Sequence, residues 1–206
     1  MASQLFTPFT MRGLQLSNRI VVSPMGQYSA RNGIASGWHH MHLGNLAVSG
    51  AGLVITEATA VHPSGLLSPR DLGLWSDEHA AALEPVIAFC REHGRAALGM
   101  QLWHSGRKGS VTVAWERQQY IPKDKGGWTT YSASPIAYPG RGVPDALDEV
   151  ARIVRDLFQA ASRAAVECRR LRRVTPRYEQ CLAAVEESLQ NFEGYVIMAK
   201  LMKGSS

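Results

Sequence analysis

Three short segments hold the residue types able to do chemistry: Ser23-Pro-Met-Gly-Gln-Tyr28, Thr56-Glu-Ala-Thr-Ala-Val61 and Gln101-Leu-Trp-His-Ser-Gly-Arg-Lys108. Gln101 is a polar group at a strand end, and its amide must find both a donor and an acceptor partner. Either a bound ligand or a bond to a neighbouring strand would supply them. Pro24 by itself reads as a strand-ending turn, and Tyr28 by itself as a surface aromatic. His39, His40 and His42 suggest a metal at first sight, but their spacing suits the start of a helix. His104 beside Arg107 reads as a pair that orders a loop, because such a histidine more often orients backbone than catalyses.

The elements that position these segments alternate in the manner of βαβ units. Arg19–Ser23 is a short β-branched run stopped by Pro24, and a helix-length stretch from about 39 to 49 closes at Gly50. Leu53–Thr56 is a continuous apolar run, as expected of a strand covered on both faces. A second helix runs to His93, where Pro85 marks either its first turn or a kink. Ala97–Gln101 is the third strand. About forty residues rich in Gly and Pro follow His104, a length that suggests a lid or pocket wall. Val150, Ile153, Val154, Leu157, Phe158 and Ala161 then form one apolar stripe, predicting a helix over 148–167. The fold class is therefore α/β, with the chemistry at the C-terminal ends of parallel strands, where loops converge in barrels.

Taken together and in this order, the three segments resemble the Old Yellow Enzyme family, in its bacterial xenobiotic-reductase-like branch. Supporting matches are Leu5-Phe6, Asn18-Arg19-Ile20, Trp38 to Leu43, Gly50 to Leu53, Pro63-Ser64-Gly65 and Trp75-Ser76-Asp77. The resemblance covers residues 1–167. It implies a partial TIM (β/α)8 barrel, made of the first three βα units and a following helix. It further implies an FMN-dependent NAD(P)H oxidoreductase of the ene-reductase type, with NAD(P)H as reductant and a small-molecule enone-type substrate. By the same resemblance, the backbone of Pro24, Met25 and Gly26 runs beside the flavin, Ala58 lets the backbone approach it, and Gln101 bonds its pyrimidine ring. Tyr28 lines the substrate pocket, and no metal is used at the histidines. Gly26 departs from the pattern, because a cysteine that tunes the flavin commonly stands there.

In the family, reduced FMN passes hydride to the β-carbon of an activated alkene. A His-His or His-Asn pair holds the substrate carbonyl, and a tyrosine supplies the proton. Those three residues follow a segment resembling Ala-Gly-Phe-Asp-Gly, which this sequence lacks, so no catalytic residue is assigned. A complete barrel needs roughly 250 residues and eight strands, which leads us to expect a truncated form, with the activity of the chain alone left open. From Cys168 the sequence reads Cys-Arg-Arg-Leu-Arg-Arg-Val174. Codons for this stretch can be chosen so that reading one base later yields Ala-Gly-Gly-Phe-Asp-Gly, which makes the arginine cluster an out-of-frame product on that reading.

Residues 168–206 are expected to be a non-family tail, a basic segment followed by an amphipathic helix. They hold 7 Lys/Arg against 4 Glu, whereas residues 1–167 hold 15 Lys/Arg against 13 Asp/Glu, so the net charge of +5 is mostly a tail property. Nucleic acid is therefore not expected as a partner. Tyr178, Leu182, Val185, Leu189, Phe192, Val196 and Ala199 form a seam of coiled-coil spacing, with Thr175 and Pro176 as cap and first position. This leaves a second function class open: a non-catalytic fragment that binds a partner, or its own copy, through that helix. No leader or membrane-spanning stretch is apparent, and Cys90, Cys168 and Cys181 show no metal-ligand spacing, so a cytoplasmic protein is expected. Cys90 is read as core.

Overall fold

The computed structural model describes residues 3–11, 13–132 and 134–146. The helix expected over 148–167, the arginine cluster and the 178–199 seam lie outside the described residues. The chain opens with a small antiparallel hairpin, β1 (Phe9–Met11) and β2 (Leu14–Leu16), which sequence periodicity did not reveal. The main unit then runs β3 (Val21–Val22), α1 (Gly37–Val48), β4 (Leu53–Ala60), α2 (Asp77–His93) and β5 (Ala97–Trp103). The three strands form one parallel sheet in the order β3-β4-β5. This is the strand, helix, strand, helix, strand order expected.

The boundaries differ from the sequence reading for identifiable reasons. β3 is only two residues long because Asn18 takes over the hydrogen bonding before it. Its Oδ1 accepts from Ile20 N at 3.0 Å while its Nδ2 donates to Gly50 O at 2.7 Å. Pro24, with no N–H to give, ends the pairing on the other side. β4 and β5 both run longer than expected, so Ala58 lies within β4 rather than after it, and Gln101 lies inside β5 rather than at its last residue. Pro85 falls in the middle of α2, eight residues beyond its start at Asp77, and so lies inside the helix rather than opening it.

Both helices cover the same face of the sheet. Val54 and Leu98 pack against Leu43, Ala47, Ala51, Val86 and Cys90, while Met100 and Leu102 pack against Ala30, Leu72, Leu74 and Leu83. Cys90 is fully buried there, where burial pushes its thiol pKa up and keeps it an unreactive small hydrophobe. The helices meet closely at Gly44, where a Cβ would stand 2.7 Å from the Phe89 ring. Because side chains alternate along a strand, Gly99, Gln101 and Trp103 lie on the opposite face, which no helix covers among the described residues.

The stretch after His104 is built from short turns rather than regular elements. Three single 3-10 turns, Gly106–Lys108, Ala114–Glu116 and Lys123–Lys125, precede a two-residue parallel pairing of β6 (Tyr131–Ser132) with β7 (Asp145–Ala146). Val111 and Val113 anchor the stretch by burial, and Ser110 Oγ staples it by donating to Ile121 O and accepting from Trp128 N. Among the described residues, no helix is long and apolar enough to cross a membrane, and no group of three or more His, Cys, Asp or Glu could hold a metal ion.

Candidate cofactor site

The site is organised by a one-residue irregularity in β4. Ile55 pairs with Gly99, but the next residue of β4 in register, opposite Gln101, is Ala58 rather than Glu57. Three residues of β4 thus span two of β5, the signature of a bulge. The extra residue puts the methyl of Ala58 beside Gln101 on the helix-free face. It also turns Glu57 away, into contact with α1. The Gln101 amide makes no hydrogen bond among the described residues, so the neighbouring-strand bond that offered an alternative role for it is not made there. Two residues further along the same face, the Trp103 indole Nε1 is buried without a partner among the described residues. A small residue flanked by an unspent amide and an orphaned N–H suits a flat ligand that carries its own donors and acceptors.

The segment after β3 has no regular structure and is tied to β4 through a side chain. Its backbone is tied to β4 by Gln27 N, which donates to Glu57 Oε2 at 2.9 Å. The Gln27 side chain folds back, Nε2 donating to Met25 O at 2.8 Å and Oε1 accepting from Trp38 Nε1 at 2.9 Å. Pro24 is half-buried, and Met25 and Gly26 are exposed. The structure therefore ties Gln27, the residue after Gly26, to the Glu57 carboxylate, and makes Gln101 the register partner of Ala58.

Tyr28 stands at the edge of this group in a left-handed backbone conformation, φ 50°. Its ring folds over Gly26, where a Cβ would lie 3.5 Å from Tyr28 Cζ. Its edge meets Trp115 at 5.5 Å between centroids, and the Arg70 guanidinium covers that indole at 5.7 Å. His104 and Arg107 act on the surrounding loops: His104 Nδ1 accepts from Gly106 N, its Nε2 meets Ser64 Oγ at 3.2 Å, and Arg107 Nη1 donates to Ile136 O.

Glu57 and His39 were not singled out as a pair by sequence reasoning. Glu57 Oε1 lies 3.1 Å from His39 Nε2, with the two side chains 4% and 1% exposed, and neither atom has another partner among the described residues. One signal was available: a lone acidic residue inside an apolar strand is rarely buried unless paired. His39 is the third residue of α1, where its Nδ1 accepts from the N-cap Ser36 N at 2.9 Å. The helix-start reading of this histidine therefore matches its position. Burial lowers the His42 pKa, against the opposing pull of the Glu57 carboxylate. Burial also raises that of Asp71, although Ser68 Oγ and the amides of Leu67 and Ser68 donate to it.

Comparison with known proteins bears on this geometry. Residues 4–169 match the model of the NADH:flavin oxidoreductase / NADH oxidase family. An NADPH dehydrogenase of Geobacillus sp. (strain WCH70) is 48% identical over 113 residues, covering 54% of this chain and 33% of that protein. The NADPH dehydrogenase of Bacillus subtilis (strain 168) is 36% identical over 166 residues, covering 80% of this chain and 45% of its own length. Morphinone reductase solved in complex with tetrahydroNAD superposes with a TM-score of 0.66 at 27% identity, covering 81% of this chain and 47% of that one. The chain thus spans less than half the length of these relatives, and its fold is part of a TIM barrel. It belongs to the NADH:flavin oxidoreductase / NADH oxidase family, that of the Old Yellow Enzyme.

Proposed function

We propose that this chain forms one wall of an FMN site in an NAD(P)H-dependent oxidoreductase of the ene-reductase type. FMN, when bound, would carry hydride from a nicotinamide to an activated, enone-type alkene. The amides of Met25 and Gly26, which donate to no other described residue, would face the redox-active edge, Pro24 having none to offer. Ala58 leaves room for the ring to approach the sheet, and Gln101 both donates to and accepts from its pyrimidine side. Tyr28 walls the substrate side, held by Trp115. The observation that carries the reading is the Ala58–Gln101 register pairing, with the Gln101 amide unspent among the described residues. Family membership and the relatives named NADPH dehydrogenase support it.

No residue of this chain is assigned to hold the substrate carbonyl or to supply the proton, so turnover by the chain alone is not expected. The test is to purify the full chain after incubation with FMN, pass it through gel filtration and record the visible spectrum. A flavin band co-eluting with protein supports the reading. A colourless protein eluting as an oligomer would favour the alternative of a partner-binding fragment.

A further inference from the structure

The segment carrying Pro24, Met25 and Gly26 pairs with no strand among the described residues, where side chains rather than the sheet hold it. Residues 23–30 have no regular structure, and their ties to the rest of the chain run largely through side chains. The most buried of those ties is Glu57. One of its oxygens takes the Gln27 amide at 2.9 Å and the other faces His39 Nε2 at 3.1 Å. The Ser36 amide donates to His39 Nδ1, which leaves Nε2 to carry the proton of the neutral ring, 3.1 Å from the carboxylate though not aligned as a hydrogen bond. Ser36 Oγ in turn donates to Ser29 O at 3.0 Å, closing the path back to the same segment two residues beyond Gln27. The bulge in β4 is what turns Glu57 into this position while leaving Ala58 on the other face.

We propose that Glu57 and His39 are a positioning pair whose task is to set the Met25–Gln27 backbone against the isoalloxazine of FMN. This rests on the FMN reading above. A carboxylate that merely holds α1 onto β4 would have no need to accept a backbone amide of the cofactor-facing turn. Glu57 accepts it with the oxygen that His39 leaves free. Replacing Glu57 with glutamine presents an NH2 to one of two N–H donors, and that donor loses its partner.

The experiment uses the full chain as wild type, Glu57→Gln, His39→Gln and, as a control cavity in the helix–sheet core, Cys90→Ala. Three quantities are read: hydrogen exchange of the Gln27 amide, the dissociation constant for FMN, and the reduction potential of bound FMN. For Glu57→Gln the expected result is exchange at Gln27 and an FMN dissociation constant each raised on the order of tenfold, with a displaced potential. His39→Gln should fall between it and wild type, and it carries the test if Glu57→Gln does not fold. Cys90→Ala should leave FMN binding within about twofold of wild type. The proposal is overturned if folded Glu57→Gln matches wild type in all three readouts. It is also overturned if Cys90→Ala weakens FMN binding as much as Glu57→Gln does, since the pair would then be structural only. A wild-type chain that takes up no FMN overturns the flavin reading itself, a result distinct from equal binding by wild type and variants.

Discussion

Ala58 and Gln101 are register partners on adjacent parallel strands only because β4 carries one residue more than β5 between this pair and the pair Ile55–Gly99. With regular pairing, Glu57 would stand opposite Gln101 and bring a carboxylate to the helix-free face. The bulge exchanges a charge for a methyl there, and directs the charge to His39 and the Gln27 amide. Strand spacing of about 4.8 Å leaves the two partners as immediate neighbours.

Ala58→Leu should therefore abolish or weaken FMN binding by at least about tenfold, since three added carbons occupy the face the ring must approach. Quenching of flavin fluorescence on titration measures it. Unchanged affinity would mean that Ala58 does not face the cofactor.

Gly26→Cys should fold normally, because the new Cβ meets the Tyr28 ring at 3.5 Å, ordinary van der Waals contact. It adds a weak sulfur donor near the proposed flavin edge, so the potential of bound FMN should shift relative to wild type. Potentiometric titration showing no shift would count against the placement of Gly26.

Gly52 precedes β4 where the chain passes Asn18. A Cβ there would lie 2.4 Å from Asn18 O, a backbone atom that cannot swing aside. Gly52→Ala should cost about 1–3 kcal/mol of stability, read by urea denaturation, and an unchanged midpoint would contradict the tight crossing described.

Stability should also fall on mild acidification through His42. Burial holds its folded-state pKa below the ordinary histidine value, with the Glu57 carboxylate opposing the shift and His39 adding to it. The unfolded chain then binds the proton more readily than the folded one. The contribution is complete above the ordinary value and is lost as pH drops through the window between it and the lower folded value. Melting temperature followed from pH 7.5 downward should decline through that window, and His42→Asn should flatten the decline. Parallel profiles would exclude His42 as the source.

The three motif segments were legible in the sequence only together and through a family resemblance, since no one of them is specific alone, and the βαβ order because apolar periodicity is local. The bulge was not legible. A one-residue shift of register depends on which neighbour each side chain of β4 packs against, and nothing local to Thr56-Glu57-Ala58 announces it. The same holds for the bond from Gln27 to Glu57, made between residues thirty apart. The hairpin of Phe9–Met11 with Leu14–Leu16 was missed because three residues per strand are too few to show alternation. Pro85 left two readings open, a first turn or a position inside the helix, and the structure places it mid-helix.

The account stands or falls on three separate stretches of chain meeting one flat ligand, and isotope-labelled protein titrated with FMN reads this residue by residue. The predicted result is that amide signals of Met25, Gly26, Ala58 and Gln101 move together along a single saturating curve, while those on the helix-covered face, such as Cys90 and Leu98, stay in place. Saturable shifts confined to other residues, or none at all, would contradict it.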